Sequence, residues 1–341
     1  MRQAVMEEPG QIVFREADAP VAGKGQVRIR VERIGVCGSD IHVFHGKHPF
    51  VTYPLIQGHE FAGVIESLGE GVQGMSPGDR VTATPQEVCG VCPPCRRGQY
   101  NACEELKVRG FQAPGCAQDL FVTEADKIVK MPPGFTPEQG VFVEPVAVAA
   151  HSTGRAGDVS GRNVVVAGAG PVGNFVAQAC RSRGAAKVLI TDISDFRLDV
   201  ARQVGIELTC NVANEPLARA AERAFGADGF DLAVEVSGAE ASLASLVAEI
   251  GKGGTLLVVG VYGEKPRVDM SVVCEHELTV LGSMMYRHED WEQAVRWIAS
   301  GDVKTEPLVS KHFPFDQYAE AYAFIEEEGE RSMKVMIDLC N

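Results

Sequence analysis

One ten-residue segment, Val164 to Gly173, constrains this chain more than any other. It begins with an apolar run of strand length, Val164-Val-Val-Ala167. The turn that follows, Gly168-Ala-Gly170-Pro171-Val172-Gly173, leads into a helix-compatible run from Asn174 to Arg183. In a chain with 37 glycines an isolated GxGxxG is only a turn. Between a strand and a helix it acquires a mechanism. Gly168 allows the tight turn, Gly170 lets the backbone approach a pyrophosphate, and Gly173 lets the helix pack close on the sheet. The free N–H groups at the helix start then face the phosphates. This spacing predicts a dinucleotide site.

Asp192 ends the next strand, nineteen residues after Gly173. A carboxylate there accepts both ribose hydroxyls of an adenosine and repels a 2′-phosphate, so NAD is expected rather than NADP. Arg197 stacks on adenine, softens that repulsion and so admits NADP or dual use, or lies solvated on its helix. Ser237 and the run Val259-Gly260-Val261 complete the expected cofactor contacts.

Strand signals at Val164 to Ala167, Val188 to Thr191, Leu232 to Val236 and Thr255 to Gly260 alternate with helical patterns such as Ala239 to Ile250. Short apolar strands alternating with helices predict a parallel sheet covered on both faces, the doubly wound α/β arrangement of a Rossmann domain. The first 130 residues read differently. Gln26 to Val36 alternates apolar and polar residues, shorter strand-like runs follow at Phe61 to Leu68 and Arg80 to Ala83, and Gly and Pro signals separate them. That region is expected to be a mostly β domain. A helix-compatible segment then runs through Glu144 to His151. Helical runs at Glu289 to Ala299 and Phe315 to Glu327 and a strand-like Lys334 to Leu339 close the chain. The expected division is 1–150, 151–285, and a C-terminal segment 286–341 that returns to the first domain. A length of 341 residues suits two domains, because single cores rarely grow past ~250 residues.

Ten cysteines raise the question of disulfides, but four fall within fifteen residues, at Cys89, Cys92, Cys95 and Cys103. Spacings of two, two and seven residues in a Pro- and Gly-punctuated loop suit a closed tetrahedral zinc, hence a structural site. A catalytic zinc keeps an open position and takes ligands from separated loops. Cys37 in Gly-Val-Cys-Gly-Ser-Asp, His59-Glu60 and Glu144 are candidates. Local sequence leaves them open, since Cys37 also reads as a buried apolar residue and His59 as a satisfied structural histidine.

Taken together, Gly-Val-Cys37-Gly-Ser39-Asp40-Ile-His42, Gly58-His59-Glu60, the four-cysteine loop and Gly168-Ala-Gly170-Pro-Val-Gly173 resemble the zinc-containing medium-chain alcohol dehydrogenases in order and spacing along nearly the whole chain. Glu144-Pro145 and Thr191-Asp192 with Arg197 look most like the sorbitol, threonine and sugar-acid dehydrogenase branch. The resemblance implies a GroES-like fold for the β domain, NAD and two zinc ions per chain, and oxidation of a secondary alcohol. It implies that Cys37 and His59 hold the catalytic zinc. Glu60 is implied as a direct or water-mediated ligand, and Glu144 as close enough to bind or exchange. Asp40 would orient His59, cap the following short helix, or do both. Ser39 and His42 would relay the alcohol proton to solvent, with His42 as the last acceptor.

The chain departs from the polyol pattern where Val43 replaces an expected tyrosine and Met285 an expected arginine, with Tyr286 and Arg287 just beyond. Sorbitol itself is therefore not the expected substrate. Lys47, His48, Phe50 and Arg287 are candidates for an edge that recognises a carboxylate, or are solvated surface. The competing readings are a hydroxy amino acid dehydrogenase acting on L-threonine, a zinc-free reductase, and a silent zinc- and NAD-binding scaffold. Retention of Cys37, His59 and Glu60 opposes the second, and a proton path that a scaffold does not need opposes the third. A net charge of −14 disfavours nucleic acid and anionic membrane partners. Lacking a signal-like apolar start or a membrane-length apolar run, the protein is expected in the cytoplasm. The family resemblance implies a dimer or tetramer. The apolar strand Leu256 to Val261 is a candidate for extending a sheet between subunits.

Overall fold

The computed structural model describes residues 1–339 and divides into two compact units, Met1–Glu144 with Arg287–Val295 and Val309–Asn341, and Pro145–Tyr286 with Arg296–Leu308. In the first unit the alternation from Gln26 to Val36 becomes one long strand. Val27, Ile29 and Val31 point into the core and are at most 1% exposed. Glu60–Leu68 and Lys334–Asp338 flank it antiparallel, with Gly35 opposite Glu60 on one side and Met336 on the other. Leu120–Glu124 also pairs with it, and Val309–Pro314 closes the sheet beyond Lys334–Asp338. This register sets the chemistry. The residue after the long strand is Cys37, so Cys37, Glu60 and Lys334 are all carried to the same end of the sheet.

The second unit holds six parallel strands in the order Leu208–Asn211, Lys187–Asp192, Asn163–Ala167, Leu232–Glu235, Thr255–Val258 and Thr279–Gly282. Chain order reverses between Asn163–Ala167 and Leu232–Glu235, which is the switch point where such sheets hold ligands. The helix Pro171–Ser182 buries every residue from Gly173 to Cys180. A Cβ on Gly173 would stand 1.8 Å from the Gly168 carbonyl oxygen, so only glycine lets the helix sit this close.

Three details differ from expectation. The strand signal Thr255 to Gly260 stops at Val258, because the N–H groups of Val259 and Gly260 turn back to the Glu235 carbonyl. Nor can Leu256 to Val261 extend a sheet between subunits, since Thr255–Val258 has a strand on each side; the edge strands are Leu208–Asn211 and Thr279–Gly282. The tail after Tyr286 also divides, and Arg296–Leu308 packs with the nucleotide unit rather than the first. There Gln178 accepts the Lys304 N–H at 2.7 Å, and the Arg183 guanidinium lies 5.3 Å from the Trp297 ring centroid.

The helix around Glu144 is longer than its sequence signal, spanning Pro137–Arg155. Thr136 and Gln139 cap its start reciprocally, at 3.1 and 2.9 Å, ahead of a proline in the first turn. The boundary between the units falls inside this helix, between Glu144 and the interior Pro145.

Candidate functional site

Cys37 caps the helix Gly38–Phe44, and its N–H donates to Asp40 Oδ2 at 2.9 Å. The other oxygen of Asp40 lies 3.6 Å from His59 Nδ1. One carboxylate therefore caps the helix with one oxygen and faces the histidine ring with the other. Asp40 is 1% exposed and His59 6%. Burial pushes the Asp40 carboxyl up, whereas His59 is raised well above its ordinary value, burial being outweighed by Asp40, Cys37 and Glu144. His59 sits where backbone packs on backbone. A Cβ on Gly115 would stand 2.3 Å from the Gly58 carbonyl oxygen, and Cys116 N–H donates to that oxygen at 2.9 Å.

Cys37 Sγ, a His59 ring nitrogen and a Glu60 oxygen lie within 4.8 Å of one another. Sulfur, nitrogen and oxygen donors brought together from two separated segments fit an ion with an open coordination position. Glu144 is 6% exposed and stands outside that set of three, near enough to raise both His59 and Lys334. Lys334 went unrecognised in the sequence. It opens an apolar strand, is 3% exposed, and donates to both Glu60 oxygens at 2.8 and 2.6 Å and to the Val36 carbonyl at 3.2 Å. No local pattern marks a lysine as buried; only the sheet register brings it to Glu60. A Cβ on Gly35 would meet Glu60 Oε2 at 2.5 Å, so the carboxylate needs glycine beneath it.

Ser39 donates to Cys37 Sγ at 3.1 Å, and His42, one helical turn on, is exposed. Their spacing puts them on one helix face, leading outward. His48 stacks on Phe111 with centroids 5.0 Å apart, and Phe111 packs 5.0 Å from the His59 ring. Burial and then His42 push the His48 imidazole below its ordinary range. Lys47 and Phe50 are exposed, whereas Arg287 Nη1 lies 3.4 Å from Glu289. The four residues of the expected carboxylate edge thus include one imidazole held toward neutrality and one guanidinium already shared.

The cysteine lobe is built locally. Cys89, Cys92, Cys95 and Cys103 bring their sulfurs within 4.8 Å of one another, with Cys92 to Cys103 at 3.9 Å and Cys103 to Cys89 at 3.6 Å. A tetrahedron of Zn–S bonds has edges of about 3.8 Å. The Glu104 N–H pulls the Cys92 thiol down to about 6, while burial and the Cys92 and Cys103 sulfurs push Cys95 up to about 12. The lobe thus holds fewer than four negative charges until a cation joins it, and the donor set fits zinc.

In the nucleotide unit Asp192 is 8% exposed and held by three backbone donors, Ala169 at 2.6 Å, Ile193 at 2.8 Å and Ser194 at 2.9 Å. Arg197 Nη1 is 4.0 Å from Asp192. Gly168, with φ +109°, packs against Ser237, and Gly170, Pro171 and Val172 begin the following helix. Val259, Gly260 and Val261 form the turn after Thr255–Val258.

Residues 23–133 match the alcohol dehydrogenase GroES-like domain, and residues 171–300 match the zinc-binding dehydrogenase family. A 2-dehydro-3-deoxy-L-galactonate 5-dehydrogenase of Pseudoalteromonas atlantica is 33% identical, the alignment covering 97% of this chain and 95% of that one. The chain belongs to the zinc-binding alcohol dehydrogenase family. It is an oxidoreductase of that family, with the GroES-like and parallel-sheet units the family combines. An L-threonine 3-dehydrogenase of Legionella pneumophila is 32% identical over 93% of this dehydrogenase and 93% of its own length. Among solved structures, an alcohol dehydrogenase (rspB) of Escherichia coli complexed with NADH superposes with a TM-score of 0.93, at 29% identity and 99% coverage of both chains.

Proposed function

We propose that this dehydrogenase oxidises a secondary alcohol on a polyol or sugar acid to the ketone, reversibly, with NAD as acceptor. The observation that carries the reading is the convergence of Cys37, His59 and Glu60 donors within 4.8 Å, beside Ser39. A zinc ion held by these residues would supply Lewis acidity that lowers the pKa of the substrate hydroxyl. Asp40 holds the His59 ring in orientation, and Lys334 fixes the Glu60 carboxylate. Ser39 takes the hydroxyl proton and His42 delivers it to solvent. The four cysteines of the lobe would hold a second, structural zinc. Asp192, already set by three backbone donors, accepts the adenosine ribose hydroxyls and disfavours a 2′-phosphate.

His48 held toward its neutral form and Arg287 shared with Glu289 favour recognition of hydroxyls over a carboxylate at that edge. The threonine-dehydrogenase relative keeps a second reading, oxidation of a hydroxy amino acid. An NAD-reduction screen over polyols, aldonates, uronates and L-threonine separates the two. Absence of turnover with all of them, in protein carrying two zinc ions, would favour a scaffold.

Of the two edge strands, Thr279–Gly282, with Val280 49% exposed, is where a second copy would continue the sheet, and light scattering reads the resulting dimer or tetramer. Free thiols at the described cysteines suit the cytoplasm, and no helix among the described residues is long and apolar enough to cross a membrane.

A further inference from the structure

Glu235 ends the strand Leu232–Glu235 and is wholly buried, with no basic side chain paired to it among the described residues. Its charge is met by the backbone instead. Oε1 accepts the Ser237 N–H at 2.8 Å, the Ser237 hydroxyl, and the Gly238 N–H at 3.1 Å. Its own carbonyl accepts Val259 and Gly260 at 2.8 and 3.0 Å. The buried Tyr262 hydroxyl makes no hydrogen bond among the described residues but faces the field of the same carboxylate, and burial, then Glu235, raises its pKa. An apolar residue here would leave buried donors unmet. One side chain therefore gathers the loops that follow two adjacent strands.

Those loops touch the phosphate turn through glycines. A Cβ on Gly238 would lie 2.4 Å from the Val261 carbonyl oxygen, and one on Gly260 2.4 Å from Gly238 N and 2.5 Å from Glu235 Oε2. A Cβ on Gly168 would lie 3.0 Å from Ser237 N. Small shifts at Glu235 are thus passed on by hard backbone contact.

Sheet order then assigns the direction. Asp192 lies on the strand to one side of Asn163–Ala167, and Glu235 on the strand to the other. A dinucleotide with its pyrophosphate at Gly168–Gly173 turns its adenosine toward Asp192 and its second nucleoside toward the loops that Glu235 holds. We propose that Glu235 is a positioning residue for the nicotinamide half of the cofactor, fixing the Ser237-Gly238 and Gly260-Val261 turns on which that half rests. This rests on the dinucleotide reading given above.

The test compares wild type with Glu235→Gln and Tyr262→Phe in the full-length, metal-loaded protein. NADH is titrated by its fluorescence and 5′-AMP, which occupies the adenosine half alone, by calorimetry. Glu235→Gln should raise the Kd for NADH about tenfold or more and leave that for AMP within about twofold. Tyr262→Phe, which strands no backbone donor, should raise the NADH value about threefold with AMP unchanged. If Glu235→Gln does not fold, Tyr262→Phe carries the comparison. Equal weakening of both ligands, or of neither, overturns the proposal. A wild type that binds neither NADH nor AMP overturns the dinucleotide reading itself, and this inference with it.

Discussion

The cysteine lobe and the cluster around His59 both gather metal-type donors, but they are built in opposite ways. The lobe takes four sulfurs from fifteen consecutive residues, and short turns bring them together, with N–H to sulfur bonds such as Cys92 to Cys89 at 3.3 Å. The His59 cluster takes Cys37, His59 and Glu60 from two strand ends and leans on Lys334, 274 residues from Glu60. A local cluster rigidifies its own loop. A convergent one is held by the sheet, because the end of one strand carries Cys37 and the start of its neighbour carries His59 and Glu60.

Experiments can break this contrast, beginning with the largest effect. Cys37→Ser should lower kcat/KM by about 10⁴, roughly 5.5 kcal/mol, while metal content falls from about two ions per chain to about one. Retention of both ions would remove Cys37 from the cluster. Lys334→Met leaves the Glu60 carboxylate buried without its partner and should destabilise the first unit by about 3–5 kcal/mol in metal-free protein, by thermal or urea denaturation. The loss should shrink when zinc is restored, since a cation again faces Glu60. An equal loss in both forms would mean that Glu60 does not face the ion.

Gly35→Ala places a methyl 2.5 Å from Glu60 Oε2 and 2.7 Å from Val141 Cγ1, and should cost about 1–3 kcal/mol with reduced zinc affinity. Cys103→Ser tests the local half of the contrast. It should release one ion per chain and open the lobe to protease, while moving kcat/KM less than about tenfold and stability by about 1–2 kcal/mol. A loss of activity as deep as that of Cys37→Ser would show that the lobe is not an independent device.

Asp79→Asn is the smallest change and touches neither cluster. Asp79 accepts the Ser76 N–H and pairs with Lys130, both at 2.8 Å, and Lys130 foremost lowers its pKa. A lowered folded-state pKa stabilises above the unfolded value and loses that contribution as pH falls through the folded one. The variant should therefore lose under about 1 kcal/mol at neutral pH and nothing at strongly acid pH, with both metal sites intact.

Legibility followed the same division. Elements with strong local patterns appear close to where the sequence puts them: the strand Gln26–Val36, the turn Gly168 to Gly173 with its helix, and four of the six strands of the parallel sheet, Leu208–Asn211 and Thr279–Gly282 being the two without an earlier signal. Boundaries moved where tertiary bonds competed with propensity. The run Thr255 to Gly260 ends early because Glu235 captures the Val259 and Gly260 N–H groups, and the tail divides because Gln178 and Arg183 hold Arg296–Leu308. Lys334 and Glu235 carried no local signal at all, since a charged residue at the end of an apolar strand reads as a solvated terminus.

The sequence by itself determined what depends on neighbours along the chain: strand and helix periodicity, the phosphate turn, and four sulfurs close enough to share an ion. Only the tertiary structure decided what depends on register. It set Gly35 opposite Glu60, drew Lys334 against that carboxylate, and placed His59 beside Asp40. The reason is physical: a short-range pattern fixes backbone shape within a few residues, whereas burial of a charge and convergence of donors belong to the packed sheet.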